Sequence, residues 1–321
     1  MRTAECVTPK HPDKMCDRIS DAILDAYLRE DPDSRVAVET MGGHKKVFIT
    51  GEVRSKYYLP TADIIKIVND VTGEEYQVTI NIDEQSNEIA QGVDTGGAGD
   101  QGIMKGYAVR ETENFMPLEY EYARQLCRYL YERWPYDGKT QVTIDNEGKV
   151  KTVVASFQNV KHMDLSNAVQ DFLDKEGITY HVVTHINPAG DWNIGGFEAD
   201  AGLTGRKLMV DNYGPRYAIG GGAFSGKDAT KVDRSGAYLA RKIAVETLIE
   251  RNAKEVSVEL AYAIGVAEPV QATAIVDGEQ IDLTSSYQLT PRDIIEKLKL
   301  KEPIFSKTAE WGHFGNGFLW R

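Results

Sequence analysis

The chain has 321 residues, 41% of them hydrophobic and 27% charged, and carries a net charge of −12. That is long enough for two or three domains with large buried cores, and no apolar run is long enough to cross a bilayer. The acidic balance argues against nucleic acid as the main partner, and three cysteines (Cys6, Cys16, Cys127) without metal-ligand spacing suit reduced thiols in the cytoplasm.

In chain order, apolar residues at Ile19, Ile23, Ala26 and Tyr27 predict an amphipathic helix over 13–30. A hairpin is expected over 35–41 and 46–54, turning at Gly42-Gly43. A helix over 61–72, with Thr61 as N-cap, and a strand over 76–82 follow. A second round has a helix over 117–134 with Pro117 in its first turn, then a hairpin over 139–145 and 149–157 turning at Asn146-Glu147-Gly148. It closes with a helix over 165–176 and a strand over 180–186. A third round has a helix over 230–252, a hairpin over 255–264 and 270–276, and a short helix over 290–298. The repeated order, at a spacing of about 100 residues, predicts an α/β (α+β) protein of three similar domains, each a mixed β-sheet with helices on one face. The expected divisions are 1–95, 96–196 and 197–321.

Each round has a polar segment ahead of its long helix. The richest is Gly220–Arg234, with four glycines, three cations (Lys227, Lys231, Arg234) and two carboxylates (Asp228, Asp233). Glycines admit backbone N–H groups close to an anion, lysines answer polyphosphate charge, and a carboxylate fits there if a metal ion lies between it and the phosphates. The run approaches a P-loop but has Asp228 where the magnesium-binding hydroxyl belongs, and no clear strand leads into it. A plain glycine-rich turn is the alternative.

His11-Pro12-Asp13-Lys14 reads either as a helix start or as an anion site, since Lys14 is unfavourable in a first helical turn without an anion nearby. Gly96–Gly102, around Asp100, is either a flexible turn or a close approach to a ligand. Trp192 is a surface aromatic or a stacking platform, while His44, His162, His181 and His185 share no ligand spacing. With no Gly-x-Ser-x-Gly, no Cys–His pairing and no zinc pattern, covalent catalysis lacks support. What is left is electrostatic stabilisation of a polyphosphate.

Together these motifs resemble the methionine adenosyltransferases, the S-adenosylmethionine synthetases. The matching residues are His11-Pro12-Asp13-Lys14 with Asp17–Asp25, Gly99–Gly102, Asp137-Gly138-Lys139, Gly202-Leu203-Thr204-Gly205-Arg206-Lys207, the Gly220–Arg234 run, Tyr262–Pro269 and Gly312–Gly315, in the family's order. The resemblance implies the pseudo-threefold S-adenosylmethionine synthetase fold and formation of S-adenosylmethionine from ATP and L-methionine, with cleavage of the triphosphate to pyrophosphate and phosphate. It implies catalytic roles for His11, Lys139, Arg206, Lys227 and Lys231. For ATP it implies Asp100, Asp137, Lys139, Trp192, Asp200, Arg206, Lys207, Ala223 and Lys227. For methionine it implies Glu52, Gln91, Asp200 and Lys231. Magnesium would fall to Asp13 and Asp233, and potassium to Glu39. It also implies a homodimer with sites between subunits, the step to a tetramer staying open.

Against the family pattern the chain is short. Only seven residues separate Gln91 from Gly99, where relatives carry a longer gating loop, and Thr8-Pro9-Lys10 precedes His11 in place of Ser-Glu-Gly. The competing readings are a P-loop-like nucleotide phosphotransferase and a non-catalytic nucleotide-binding relative.

Overall fold

A computed structural model of the chain describes residues 1–85 and 96–321. Strand β1 (Arg2–Val7) leads into α1 (Pro12–Glu30), then β2 (Arg35–Gly43), β3 (Lys46–Arg54), α2 (Thr61–Thr72) and β4 (Gln77–Glu84). Next come β5 (Gly102–Val109), α3 (Leu118–Tyr131), β6 (Gly138–Ile144), β7 (Val150–Phe157), α4 (His162–Lys175) and β8 (Val183–Ile186). The last part holds β9 (Gly202–Leu203), α5 (Val232–Glu250), β10 (Glu255–Tyr262), β11 (Gln271–Val276), β12 (Glu279–Asp282) and α6 (Pro291–Leu298).

The strands form three four-stranded sheets, ordered β9-β2-β3-β4, β1-β6-β7-β8 and β5-β10-β11-β12. Every sheet is a hairpin flanked by a strand borrowed from another part of the chain. The first takes β9, the second β1 and the third β5, so the exchange runs in a cycle across the divisions expected from sequence. In the first two sheets the outer strand lies parallel to its neighbour, which requires the crossover helices α2 and α4. The third departs from this pattern, because β12 follows β11 directly through an Asp277-Gly278 turn with both φ values positive.

Two apolar bodies fill the interior. One is shared by α1, α5 and the first and third sheets, and the other lies beneath the second sheet against α3 and α4.

Several sequence expectations change. The first hairpin turns at His44-Lys45 (φ 47° and 66°), and Gly42 stays in β2, paired with Val47 and Gly202, where a Cβ would come 2.4 Å from the Phe197 ring. The cap of α2 is Pro60, whose carbonyl takes the Asp63 and Ile64 amides, so Thr61 is already helical. Gly96–Gly102 does not abut a helix, since β5 intervenes. Its glycines answer to backbone: a Cβ on Gly97 would sit 2.3 Å from the Gly265 carbonyl oxygen.

Candidate active site

The turn between β1 and α1 is tied down on several sides. Thr8 donates its hydroxyl to the Tyr136 carbonyl (2.9 Å), and Arg18 reaches the Pro9 carbonyl (3.1 Å). Lys10 donates to the Val71 and Thr72 carbonyls (3.1 and 2.9 Å), a cation on the C-terminal end of α2. This frame places His11 as the N-cap of α1, its Nδ1 accepting the Asp13 amide at 3.2 Å. An accepting Nδ1 leaves the proton of a neutral imidazole on Nε2, which becomes a donor. Burial first, then the charges of Lys207 and Lys139, depress its pKa to about 4, against the opposing pull of Asp13 and Asp200. His11 is therefore neutral near pH 7.

A depressed histidine is protonated more readily in the unfolded chain. Its contribution to stability is complete above about 6.5 and is lost as pH falls toward 4. The expected result is that the Tm of a His11→Asn protein falls less between pH 6.5 and 4 than that of the unaltered chain, as measured by calorimetry across that window.

Asp13, in the first turn of α1, accepts the Leu203 amide (2.9 Å) and the Lys207 ammonium, with Arg206 Nε at 3.5 Å. Burial raises its pKa, but these donors overcome that and hold it below the usual carboxylate range. Lys139 enters from β6 and pairs with Glu5 at 3.0 Å. Across the strand from Lys139 is Ser156, whose hydroxyl takes the indole N–H of Trp192 at 3.1 Å. Asp137 accepts the Gly196 amide (2.9 Å), and burial lifts its pKa to about 6. Asp200 is exposed one residue before Ala201, whose amide it accepts.

The glycine-rich run is no P-loop. No strand leads into it; instead Gly226 and Asp228 exchange backbone hydrogen bonds with Val38 and Val36 of β2. Gly226 has φ +81°, and a Cβ there would collide with the Val38 carbonyl oxygen. Gly222 leaves room for Asp233, whose carboxylate receives Lys227 at 2.5 Å. Asp228, which replaces the P-loop hydroxyl, is structural, accepting the Val36 and Thr230 amides and pairing with Lys231. Ala223 packs toward Gly205, so this run touches the Arg206-Lys207 segment.

Glu39 and Glu52 lie on the open face of the first sheet. Glu39 is exposed and Glu52 half-buried, near the exposed Met41 and Phe48. Asp100 is exposed and accepts the Gln101 amide, and Gln91 lies outside the described residues. Among the described residues no group of three or more His, Cys, Asp or Glu could hold a metal ion by itself. Asp13 and Asp233 are instead single carboxylates, each paired with a lysine, oxygen donors of the kind a hard divalent cation takes.

In sequence, Lys14 is a cation in want of an anion. In the structure it is fully buried, between Asp17 (3.2 Å) and Asp211 (2.6 Å), so the anions are the protein's own. Sequence reasoning also misses Asp17 and Asp21 as separate contributors. Asp17 accepts the Gly205 amide (2.8 Å) and Asp21 the Gly226 amide (2.8 Å), while Arg234 forks onto Asp21 with two bonds of 2.7 Å. The signal that could have found them is a carboxylate every fourth residue from Asp13 to Asp25.

Fold and side-chain placement define a class: a three-sheet α/β protein in which a neutral imidazole stands among Lys139, Lys207, Asp13 and Asp200, while the glycine-rich run carries its own lysine–carboxylate pair, Lys227 and Asp233. Sequence models of the N-terminal, central and C-terminal domains of S-adenosylmethionine synthetase match residues 1–95, 95–192 and 194–321. The chain belongs to the S-adenosylmethionine synthetase family. It is 43% identical to the S-adenosylmethionine synthase of a Nitratiruptor species, over 98% of this chain and 92% of that one. It is 42% identical to that of Mycoplasmopsis synoviae, over 98% and 91%. Among solved structures, an S-adenosylmethionine synthetase from Campylobacter jejuni described as unusual superposes with a TM-score of 0.90 at 36% identity, covering 99% of this chain and 96% of its own.

Proposed function

We infer that the chain is a methionine adenosyltransferase that makes S-adenosylmethionine from ATP and L-methionine and cleaves the triphosphate to pyrophosphate and phosphate. The observation that carries the reading is the neutral His11, presenting Nε2–H beside Lys207 and Lys139. The methionine sulfur forms a bond to C5′ as the C5′–O bond breaks, and the electron pair leaves with the triphosphate. A thioether has no proton to lose, so no general base is needed. What the site must do is stabilise charge on the leaving oxygens, with His11 donating to the departing oxygen and Lys139, Arg206, Lys207 and Lys227 facing the phosphates.

Lys207 and Lys227 are paired with Asp13 and Asp233. Asp13 and Asp233 would hold Mg²⁺ once phosphate oxygens took over their lysine partners, and the ion would supply further charge neutralisation. Trp192 would stack on adenine and Asp137 would hold the loop beside it; Asp200, Glu52, Gln91 and Lys231 would receive methionine. Glu39 would bind K⁺, and Asp100 would complete the pocket.

A homodimer with shared sites is supported by Glu39 and Glu52 lying on an open sheet face with exposed Met41 and Phe48. A cytoplasmic setting is supported by three free, buried cysteines. No helix among the described residues is long and apolar enough to cross a membrane.

Incubation with ATP, methionine and Mg²⁺, with products identified by mass spectrometry, tests the reading. S-adenosylmethionine, pyrophosphate and phosphate are expected. Phosphate release without methionine would instead favour a phosphotransferase, and ATP binding without turnover a non-catalytic relative. The short segment between Gln91 and Gly99 predicts a more open site that is less selective for adenine. Turnover with GTP and CTP beside ATP measures this, and strict ATP selectivity would refute it.

A further inference from the structure

Helix α1 carries Asp13, Asp17, Asp21 and Asp25 at four-residue intervals, on one side of the helix. Like charges at that spacing destabilise an isolated helix. Here all four are buried, and each is occupied by backbone from beyond residue 200. Asp13 takes the Leu203 amide, Asp17 that of Gly205, Asp21 that of Gly226, and Asp25 those of Phe305 and Ser306. The two middle contacts share a geometry. Gly205 and Gly226 both have φ +81°, and each stands directly before a cation of the site: Arg206-Lys207 after the first, Lys227 after the second. Neither glycine has room for a side chain, since a Cβ would lie 2.7 Å from the Ala223 Cβ or 1.8 Å from the Val38 oxygen.

We propose that Asp17 and Asp21 are positioning residues for the adenosyl-transfer reaction: one turn apart on α1, they hold the backbone amides of Gly205 and Gly226 and so set the placement of the triphosphate-binding cations Arg206, Lys207 and Lys227. Neither carboxylate touches the phosphates; each acts through the amide it holds. Lys14, between Asp17 and Asp211, clamps the far end of the same segment, the single helical turn at Leu208–Asp211. Asp25 serves as an internal contrast. It accepts three hydrogen bonds of the same kind, two from amides and one from the Ser306 hydroxyl, but the residues it holds carry no cation of the site.

The inference rests on the assignment of these cations to triphosphate, and the test separates the two. Full-length Asp17→Ala and Asp25→Ala proteins are compared with the unaltered chain by inorganic tripolyphosphate titration, steady-state kinetics and thermal melting. Both variants are expected to melt at lower temperature. Asp17→Ala alone is expected to weaken tripolyphosphate binding and raise KM for ATP by about tenfold, on the order of one lost charge-assisted hydrogen bond, with KM for methionine unchanged. Asp17→Glu keeps the charge and the Lys14 pairing but moves the acceptor by one methylene, and it decides the matter if Asp17→Ala does not fold. A tripolyphosphate Kd raised at least ~3-fold in Asp17→Glu is the expected result for a positional role. An Asp17 variant that folds and binds tripolyphosphate and ATP as the unaltered chain does would overturn the proposal. Equal loss of affinity in Asp25→Ala would overturn it too, as a general loosening of the fold. If the unaltered chain binds no tripolyphosphate, the assignment of the cations fails instead.

Discussion

Replacing His11 with asparagine is expected to leave a folded protein that forms S-adenosylmethionine at least ~10²-fold more slowly at saturating ATP and methionine, the usual loss when one preorganised donor to a developing oxyanion is removed. Asparagine is chosen because His11 is also the N-cap of α1, through Nδ1 and the Asp13 amide. Asparagine is among the best N-cap residues, so the cap survives while the Nε2–H donor is withdrawn. Alanine would remove both, adding about 1 kcal/mol of instability from the lost cap.

The expected signature is a fall in kcat with little change in KM for ATP, because the donor is asked to act on the leaving oxygen as its charge develops. Single-turnover measurement of S-adenosylmethionine formation, apart from triphosphate cleavage, shows which step is slowed. Because His11 of the free protein is neutral down to about pH 4, the kcat/KM–pH profile of the unaltered enzyme should carry no histidine inflection near 6.5 that disappears in the variant. Turnover within threefold of the unaltered rate would remove His11 from the chemistry.

How far the sequence reveals this site depends on whether the signal is local. The periodicity of Ile19, Ile23, Ala26 and Tyr27 marks α1 because the buried face of a helix repeats within a few residues. The central hairpins of all three sheets are visible for the same reason. The borrowed strands are not. Arg2–Val7, Gly102–Val109 and Gly202–Leu203 pair with strands distant in sequence, and no turn residue announces a partner more than a hundred residues away. The Asp277-Gly278 turn, by contrast, is a strong hairpin signal that the sequence expectations omit.

The chemistry of Gly220–Arg234 is legible as an anion cradle from glycine and lysine content. Its attachment is not, because Gly226 and Asp228 dock on β2 through backbone atoms that every residue possesses. Lys14 and Asp228 illustrate the same limit in reverse. Their charges look like site groups in sequence, yet Lys14 is buried between carboxylates and Asp228 holds the Val36 amide. Charge is visible in a sequence, whereas the partner that neutralises it belongs to the tertiary structure.

Loss of the Arg234 guanidinium should give the largest stability change of any single substitution at the site. Arg234 and Asp21 are both fully buried, joined by two bonds of 2.7 Å, and Arg234 also donates to the Lys227 carbonyl at 2.9 Å. Arg234→Met retains much of the packing volume over the Phe305 ring but leaves a carboxylate buried without its cation. Breaking a buried pair from one side costs about 3–5 kcal/mol, because the remaining charge keeps its desolvation penalty. Urea denaturation should register this as a lowered midpoint.

The double variant Asp21→Leu/Arg234→Met removes both charges and is expected to recover most of that loss, since a well-packed apolar pair can equal a buried ion pair in stability. It cannot recover the acceptor for the Gly226 amide. Stability and phosphate binding should therefore separate, with the double variant melting near the unaltered chain yet binding tripolyphosphate weakly. If it regains both, the pair serves only the fold. If it regains stability alone, the buried carboxylate is retained because it holds the cradle in register with the rest of the site.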